Sequence, residues 1–190
     1  MNWEGRHLAE YWLHRVAKDC PEYSHINRKS IVNWLIGSDL QGFQLMTPEE
    51  LGLAKLKIEN RWQILSQRYL GFEEKESYAN LMSRLASAAI SSKEVKVWVR
   101  KSSDRSLFVL DILHNIVQNM LQTDKYMQLQ INYIGKLTQD KNLRNALLLT
   151  NLEEYCWRSV NGKSLLSNHF KNYLSSKVER KSEKNEAIRN

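Results

Sequence analysis

Four polar side chains in the second half of the chain have the types that acid–base catalysis uses: His114, Glu153, Glu154 and Arg158. Imidazole and carboxylate groups transfer protons near neutral pH when burial or a neighbouring charge adjusts their pKa. Glu153 and Glu154 are adjacent, so on a helix they diverge by about 100° and cannot form an acid–base pair by themselves. An enzyme therefore requires all four residues to meet in one pocket. The simpler interpretation is a hydrogen-bonded structural histidine and glutamates that are solvated or paired with Arg144 or Arg158.

A nucleotide site is poorly supported. Gly162-Lys163-Ser164 has the ending of a phosphate-binding loop, but the glycine that this motif requires five residues earlier is replaced by Trp157. We interpret Asn161-Gly162 as a turn.

Metal and disulfide chemistry are also poorly supported. His7 and His14 are almost two helical turns apart and cannot chelate one ion without a further ligand. Cys20 and Cys156 are far apart in sequence and have no partner at metal-ligand spacing. We predict no cofactor and no metal, and a reducing compartment.

Cationic residues suggest a binding surface in two parts of the chain. A helix around residue 60 would align three cations along one side, and a second cluster of cations surrounds a tryptophan, whose indole can stack on a nucleic-acid base. The candidate surface for a protein or nucleic-acid partner is Lys57, Arg61, Arg68, Lys96, Trp98, Arg100 and Lys101. A tryptophan packed on the body among solvated cations is the simpler interpretation of the second cluster.

The composition is that of a soluble globular protein. The 190 residues are 42% hydrophobic and 26% charged, which is typical of one domain or two small ones. The net charge of +7 allows an acidic partner without requiring one. Because no apolar run approaches the ~20 residues of a membrane span and the first residues lack a signal-peptide pattern, we expect a soluble protein that spans no membrane.

Apolar residues recur at helical spacing almost throughout the chain, which contains only two prolines. We predict an all-α fold, a single globular domain of about seven to eight helices over residues 1–174. Within this domain, residues 1–46 would form N-terminal helices and residues 47–174 the main body. We assign both parts to one domain because no Gly-, Ser- or Pro-rich linker separates them. The charged residues 175–190 are predicted to be a disordered tail.

Caps and apolar stripes locate individual helices. Thr47-Pro48-Glu49-Glu50 predicts a capping box and a long helix that ends near Gly71. Asp124 and Asp140 precede two further helices. A helix from about 104 to 121 is predicted before Asp124, with Ser103 as its cap. Its predicted inward face consists of Leu107, Leu110, His114, Val117 and Leu121.

The pattern changes between residues 93 and 101. Val95, Val97 and Val99 alternate with Lys96, Trp98 and Arg100, which is the period of a β-strand. Because β-propensity depends strongly on context, a short extended segment near 95–100, a loop and a helix all remain open.

Four segments carry a resemblance to a known family: Asn60–Gly71, Tyr78–Leu85, Leu143–Arg158 and His169–Leu174. In these segments the chain resembles the hypothetical chloroplast reading frame fifty-five family of red-algal plastids and cyanobacteria. The resemblance runs from about Lys55 to Leu174. The family has no established activity, so no functional residue can be carried over.

The resemblance implies a location and a setting. The location is the plastid stroma, or the cyanobacterial cytoplasm if the protein is not plastid-encoded. Some cyanobacterial members are associated with signalling receiver domains, which implies a regulatory role. Our leading hypothesis is thus a non-enzymatic, all-α regulatory or protein-interaction module, and nucleic-acid binding through a basic helical face is the alternative.

Overall fold

Helices make up nearly all of the described chain. The computed structural model describes residues 3–37, 39–100, 105–160 and 162–175. The helices are α1 (Trp3–Asp19), α2 (His25–Ile36), α3 (Gly42–Leu45), α4 (Pro48–Arg68), α5 (Glu74–Ser91), α6 (Lys93–Arg100), α7 (Arg105–Thr123), α8 (Lys125–Leu137), α9 (Lys141–Trp157) and α10 (residues 165–175). The prediction of an all-α fold is confirmed. The predicted tail lies outside the described residues from position 176 onwards.

The chain divides into two compact units. The first consists of Met1–Ser77 and Leu129–Asn151, and the second consists of Tyr78–Gln128 and Leu152–Asn190. Each unit is built from two separate stretches of sequence. A compact unit of this kind depends on contacts between residues that are distant in sequence, which helical periodicity does not reveal.

The N-terminal helices form one side of the first unit. Leu8, Trp12 and Val16 recur at a spacing of four and are buried, as the apolar stripe predicts. Helix α1 packs against α2 and α3. At its start, Gly5 approaches the chain so closely that a Cβ atom there would lie 2.5 Å from the carbonyl oxygen of Leu40. Only glycine permits this approach.

Helix α4 begins and ends as predicted. The Thr47 hydroxyl accepts a hydrogen bond from the Glu50 backbone N–H, and the Glu50 carboxylate accepts one from the Thr47 N–H, which completes the capping box. Three residues after the last residue of the helix, Gly71 adopts a φ of +78°, a left-handed conformation that favours glycine. Ile58, Trp62 and Leu65 form the buried face between these two ends.

In the second unit, α7 buries a different face from the predicted one. Of the five residues predicted to face inward, Val117 is buried, but His114 is exposed and Leu110 and Leu121 are only half-buried; the side chain of Leu107 and the predicted cap Ser103 lie outside the description. The buried face is instead Val109, Ile112, Leu113, Ile116, Val117 and Met120. The prediction of the inward face was wrong because this helix carries two overlapping apolar stripes, and spacing alone does not choose between them.

The segment near 95–100, for which the sequence left a strand, a loop and a helix open, is helical. It forms α6 (Lys93–Arg100), in which the Ser92 hydroxyl accepts a hydrogen bond from the Val95 backbone N–H at the first turn. Val95 is buried and Val97 is exposed, so the alternating valines do not share one face. Packing of α6 against α7 decides the conformation over local β-propensity.

A two-stranded hairpin precedes the last helix. Ser159–Val160 (β1) pairs antiparallel with Lys163–Ser164 (β2). Gly162 has a φ of +75°, so the predicted turn is present. The last helix, α10, begins at residue 165, directly after the second strand of the hairpin.

Candidate functional site

An apolar groove lies between α1 and α4 in the first unit. Its volume is about 530 Å³, within the range of ligand-binding sites. The lining residues are His7, Leu8, Tyr11, Trp12, Lys55, Leu56 and Glu59.

The floor and the walls of the groove differ in exposure. Leu8 and Trp12 form the floor and are buried, since they belong to the core stripe of α1. The walls are Tyr11, which is 55% exposed, and Leu56, which is 56% exposed. Tyr11 adjoins the buried Trp12 in sequence, whereas Leu56 lies between the exposed Lys55 and Lys57 and outside the buried stripe of α4. Two large apolar side chains therefore remain accessible on either side of an apolar floor.

An ion pair orders one end of the groove. The Arg15 guanidinium donates two hydrogen bonds to the Glu59 carboxylate, one of them 2.8 Å from Nη2 to Oε1. The same guanidinium lies 5.0 Å from the centre of the Trp12 ring, a cation–π distance. The hydrogen bond from Arg15 lowers the pKa of Glu59, and the reciprocal bond raises the pKa of Arg15. Glu59 is therefore held as a paired carboxylate and not as a proton donor.

The basic residues predicted on α4 lie on the flank that turns away from the groove. Lys57 follows Lys55 by two residues, which places it about 200° around the helix. Lys57 and Arg68 are exposed, whereas Arg61 is half-buried with its guanidinium 5.0 Å from the centre of the Trp34 ring. Because α4 is continuous, Lys57, Arg61 and Arg68 lie along one side of it, but Arg61 packs on the Trp34 ring.

The other four candidates belong to the second unit. Lys96 is exposed on α6. The side chains of Trp98 and Arg100 and the whole of Lys101 lie outside the described part of the chain. A binding surface formed by this cluster remains a prediction.

Two of the residues considered for acid–base chemistry have different partners. His114 Nδ1 lies 3.0 Å from the hydroxyl oxygen of Tyr78. Arg84 donates hydrogen bonds of 3.0 Å from Nε and Nη2 to the two carboxylate oxygens of Glu153. Glu153 is fully buried, which excludes solvation, one of the two alternatives that the sequence left open for it. Arg158 is exposed beyond the end of α9.

The two thiols are unsuited to nucleophilic chemistry. Burial raises the pKa of Cys20 to about 11 and that of Cys156 to about 12. A thiol with such a pKa is protonated at neutral pH, and the thiolate is the reactive form. Within the described ranges, no three His, Cys, Asp or Glu side chains are grouped so that they could hold a metal ion.

Sequence reasoning did not select the groove. The available signal was that Tyr11 and Leu56 are large apolar residues outside the buried stripes of their helices. An exposed apolar residue is common on protein surfaces, so this signal gains meaning only when two such residues face each other.

Comparisons with family models, with curated protein sequences and with solved structures found no match to this chain. Among the described helices, none is both long and apolar enough to cross a membrane.

Proposed function

We propose that this protein is a non-enzymatic interaction module that binds an apolar helical segment of a partner protein in the groove between α1 and α4. The observation that supports the proposal is the groove itself, with its buried floor of Leu8 and Trp12 and its exposed walls of Tyr11 and Leu56. A helix of a partner would cover both walls, which removes their apolar surface from water.

The shape of the groove favours a helix as its occupant. Two crossing helices leave a channel into which a third helix inserts a row of side chains, one every three or four residues. About 530 Å³ accommodates several such side chains. The charged pair Arg15–Glu59 at the end is already satisfied, so the groove presents mainly apolar chemistry to its ligand.

The cellular setting is proposed from the family resemblance alone. We place the protein in the plastid stroma, or in the cytoplasm of a cyanobacterium, and assign it a regulatory role there. The alternative function is nucleic-acid binding through the basic flank of α4, which the exposed Lys57 and Arg68 support.

The experiment compares two exposed leucines of α4. Leu53 is 54% exposed, nearly the same as Leu56, but does not line the groove. The probe is a fluorescein-labelled amphipathic peptide of about 14 residues, four helical turns, with leucines along one face. Fluorescence anisotropy should show binding to the parent protein, a loss of affinity of about tenfold or more for Leu56→Asp, and little change for Leu53→Asp.

Two results would contradict the proposal. One is an absence of peptide binding to the parent protein, and the other is an equal loss for Leu53→Asp and Leu56→Asp. Circular dichroism of both variants verifies that they are folded. If labelled DNA or RNA binds instead, with an affinity that falls steeply as salt is added and is reduced by Lys57→Glu, the alternative function is favoured.

A further inference from the structure

One edge of the groove carries a lysine of α4. Lys55 lines the groove and is exposed, and it forms no ion pair with any described residue. This edge therefore carries a cation that remains available to a ligand.

The carboxylate that lines the groove does not balance this cation. Glu59 accepts two hydrogen bonds from Arg15, so its charge is already compensated. Glu10 is exposed, but it lies about 100° around α1 from Tyr11 and faces away from the groove wall. Among the lining residues, Lys55 is therefore the charge that a bound segment would meet beside the apolar wall of α4.

We infer that the segment bound in this groove is an acidic amphipathic helix, with an apolar stripe on the floor and carboxylates along its edge toward Lys55. This inference rests on the proposed function. Opposite charges at the rim of an interface select the partner and accelerate its association more than they raise affinity. A basic amphipathic helix would place like charges against Lys55 and bind less well.

Two peptides with the same leucine stripe test this inference on the full chain. One carries glutamates at the edges of the stripe and the other carries lysines at the same positions. The glutamate peptide should bind the parent protein about tenfold more tightly, and Lys55→Glu should reduce this preference about fivefold or more. Lys57→Glu is the matched control, since Lys57 is an exposed lysine on the opposite flank of α4. It should leave the preference unchanged.

The outcomes separate this inference from the proposed function. Equal binding of both peptides, or a preference that Lys55→Glu does not alter, overturns the acidic partner while the groove remains a binding site. Binding of neither peptide overturns the proposed function itself. Tighter binding of the lysine peptide would reverse the sign of the inferred partner charge.

A second cavity, independent of the groove, lies where the first turn of α5 meets α9 in the first unit. It has a volume of about 10 Å³ and is lined by residues that include Ser77 and Asn145. Ser77 is only 3% exposed. Among the described residues neither its Oγ atom nor Asn145 Nδ2 has a hydrogen-bond partner, and neither atom reaches the surface.

We propose that this cavity binds one ordered water molecule that bridges Ser77 Oγ and Asn145 Nδ2. A single water needs about 10–15 Å³ and two or more polar partners, and this site has both. The water would accept a hydrogen bond from the Asn145 amide and exchange one with the Ser77 hydroxyl. It would thereby satisfy two buried polar atoms that otherwise lose their hydrogen bonds on folding. A larger ligand does not fit the volume.

Water relaxation dispersion measures the number of long-lived internal waters and tests this site. Ser77→Ala should lower that number by one relative to the parent protein. Ser87→Ala is the control, because Ser87 lies on the same helix and donates its hydrogen bond to the Ser83 carbonyl, 3.0 Å away. It should leave the number unchanged. A crystal structure of the parent protein should show the water within hydrogen-bond distance of both atoms. Absence of that water, or a direct bond between Ser77 and Asn145, overturns the site.

Discussion

At the scale of single residues, Glu153 is the most constrained charged group in the second unit. Its side chain is completely buried, and Arg84 of α5 binds both of its oxygens. Removing a carboxylate from water is unfavourable, and a bidentate guanidinium offsets much of that loss. The two residues are 69 positions apart, so adjacency in sequence directed attention to the wrong arginines, Arg144 and Arg158.

Replacement of Arg84 by methionine leaves Glu153 buried without this partner. We expect Arg84→Met to lower the free energy of unfolding by about 3 kcal/mol at pH 7. The Glu153 carboxylate would then be removed from water on folding without a cation that offsets its lost hydration. Urea denaturation followed by circular dichroism measures the change.

The double variant Arg84→Met with Glu153→Leu is the control for this prediction. It removes both charges, so it should recover most of the lost stability. Equal stability of Arg84→Met and the parent protein would show that the pair is not needed to keep Glu153 buried.

At the scale of elements, Asp140 connects the start of α9 to α2 within the first unit. Its Oδ1 accepts a hydrogen bond of 3.0 Å from the Leu143 backbone N–H, which caps α9. Its Oδ2 accepts one of 2.7 Å from the Asn27 side chain. The backbone bond from Leu143 is the main cause of the lowered pKa of Asp140, and the bond from Asn27 adds to it.

The lowered pKa determines the sign of a pH effect. The carboxylate binds a proton less readily in the folded state than in the unfolded chain, whose aspartates titrate near about 3.9. Its contribution to stability is therefore complete above that value and is lost as the pH falls through the lower, folded pKa.

Asp140→Ala should lower the free energy of unfolding by about 1–2 kcal/mol at pH 7 through loss of the helix cap. The difference from the parent protein should shrink as the pH falls below about 4. Urea titrations at several pH values measure both effects. Asp111→Ala removes an exposed aspartate of α7 and serves as the control, which should be nearly neutral. A difference that stays constant down to pH 2 would contradict this role of the charge.

The accuracy of sequence reasoning varied from element to element for physical reasons. The start of α4 is fixed by bonds between residues three positions apart, Thr47 and Glu50, so the local sequence suffices. The conformation of α6 and the inward face of α7 depend on what packs against them. The local pattern was compatible with more than one answer there: it left the conformation of α6 open, and the face that it predicted for α7 was wrong.

At the scale of the whole molecule, the net charge of +7 has no single location in the described residues. Lys57 and Arg68 lie in the first unit and Lys96 in the second, so the candidate basic residues are divided between two separate folding units. Composition permits an acidic partner, but only the arrangement of individual side chains determines where on the surface the positive charge lies. The unpaired Lys55 at the edge of the groove was not among the residues predicted from the sequence.

The sequence by itself determined the helical class, the caps of α4, α8 and α9 and most helix boundaries, because periodicity and capping act over three or four residues. Only the tertiary structure decided which face of each helix is buried and which residues meet. The Arg15–Glu59 pair spans 44 positions and the Asn27–Asp140 bond spans 113. The groove on which the proposed function rests also depends on residues that are distant in sequence, since its two walls belong to α1 and α4. Contacts between distant residues depend on the energy of the whole packed unit, and no local pattern specifies them.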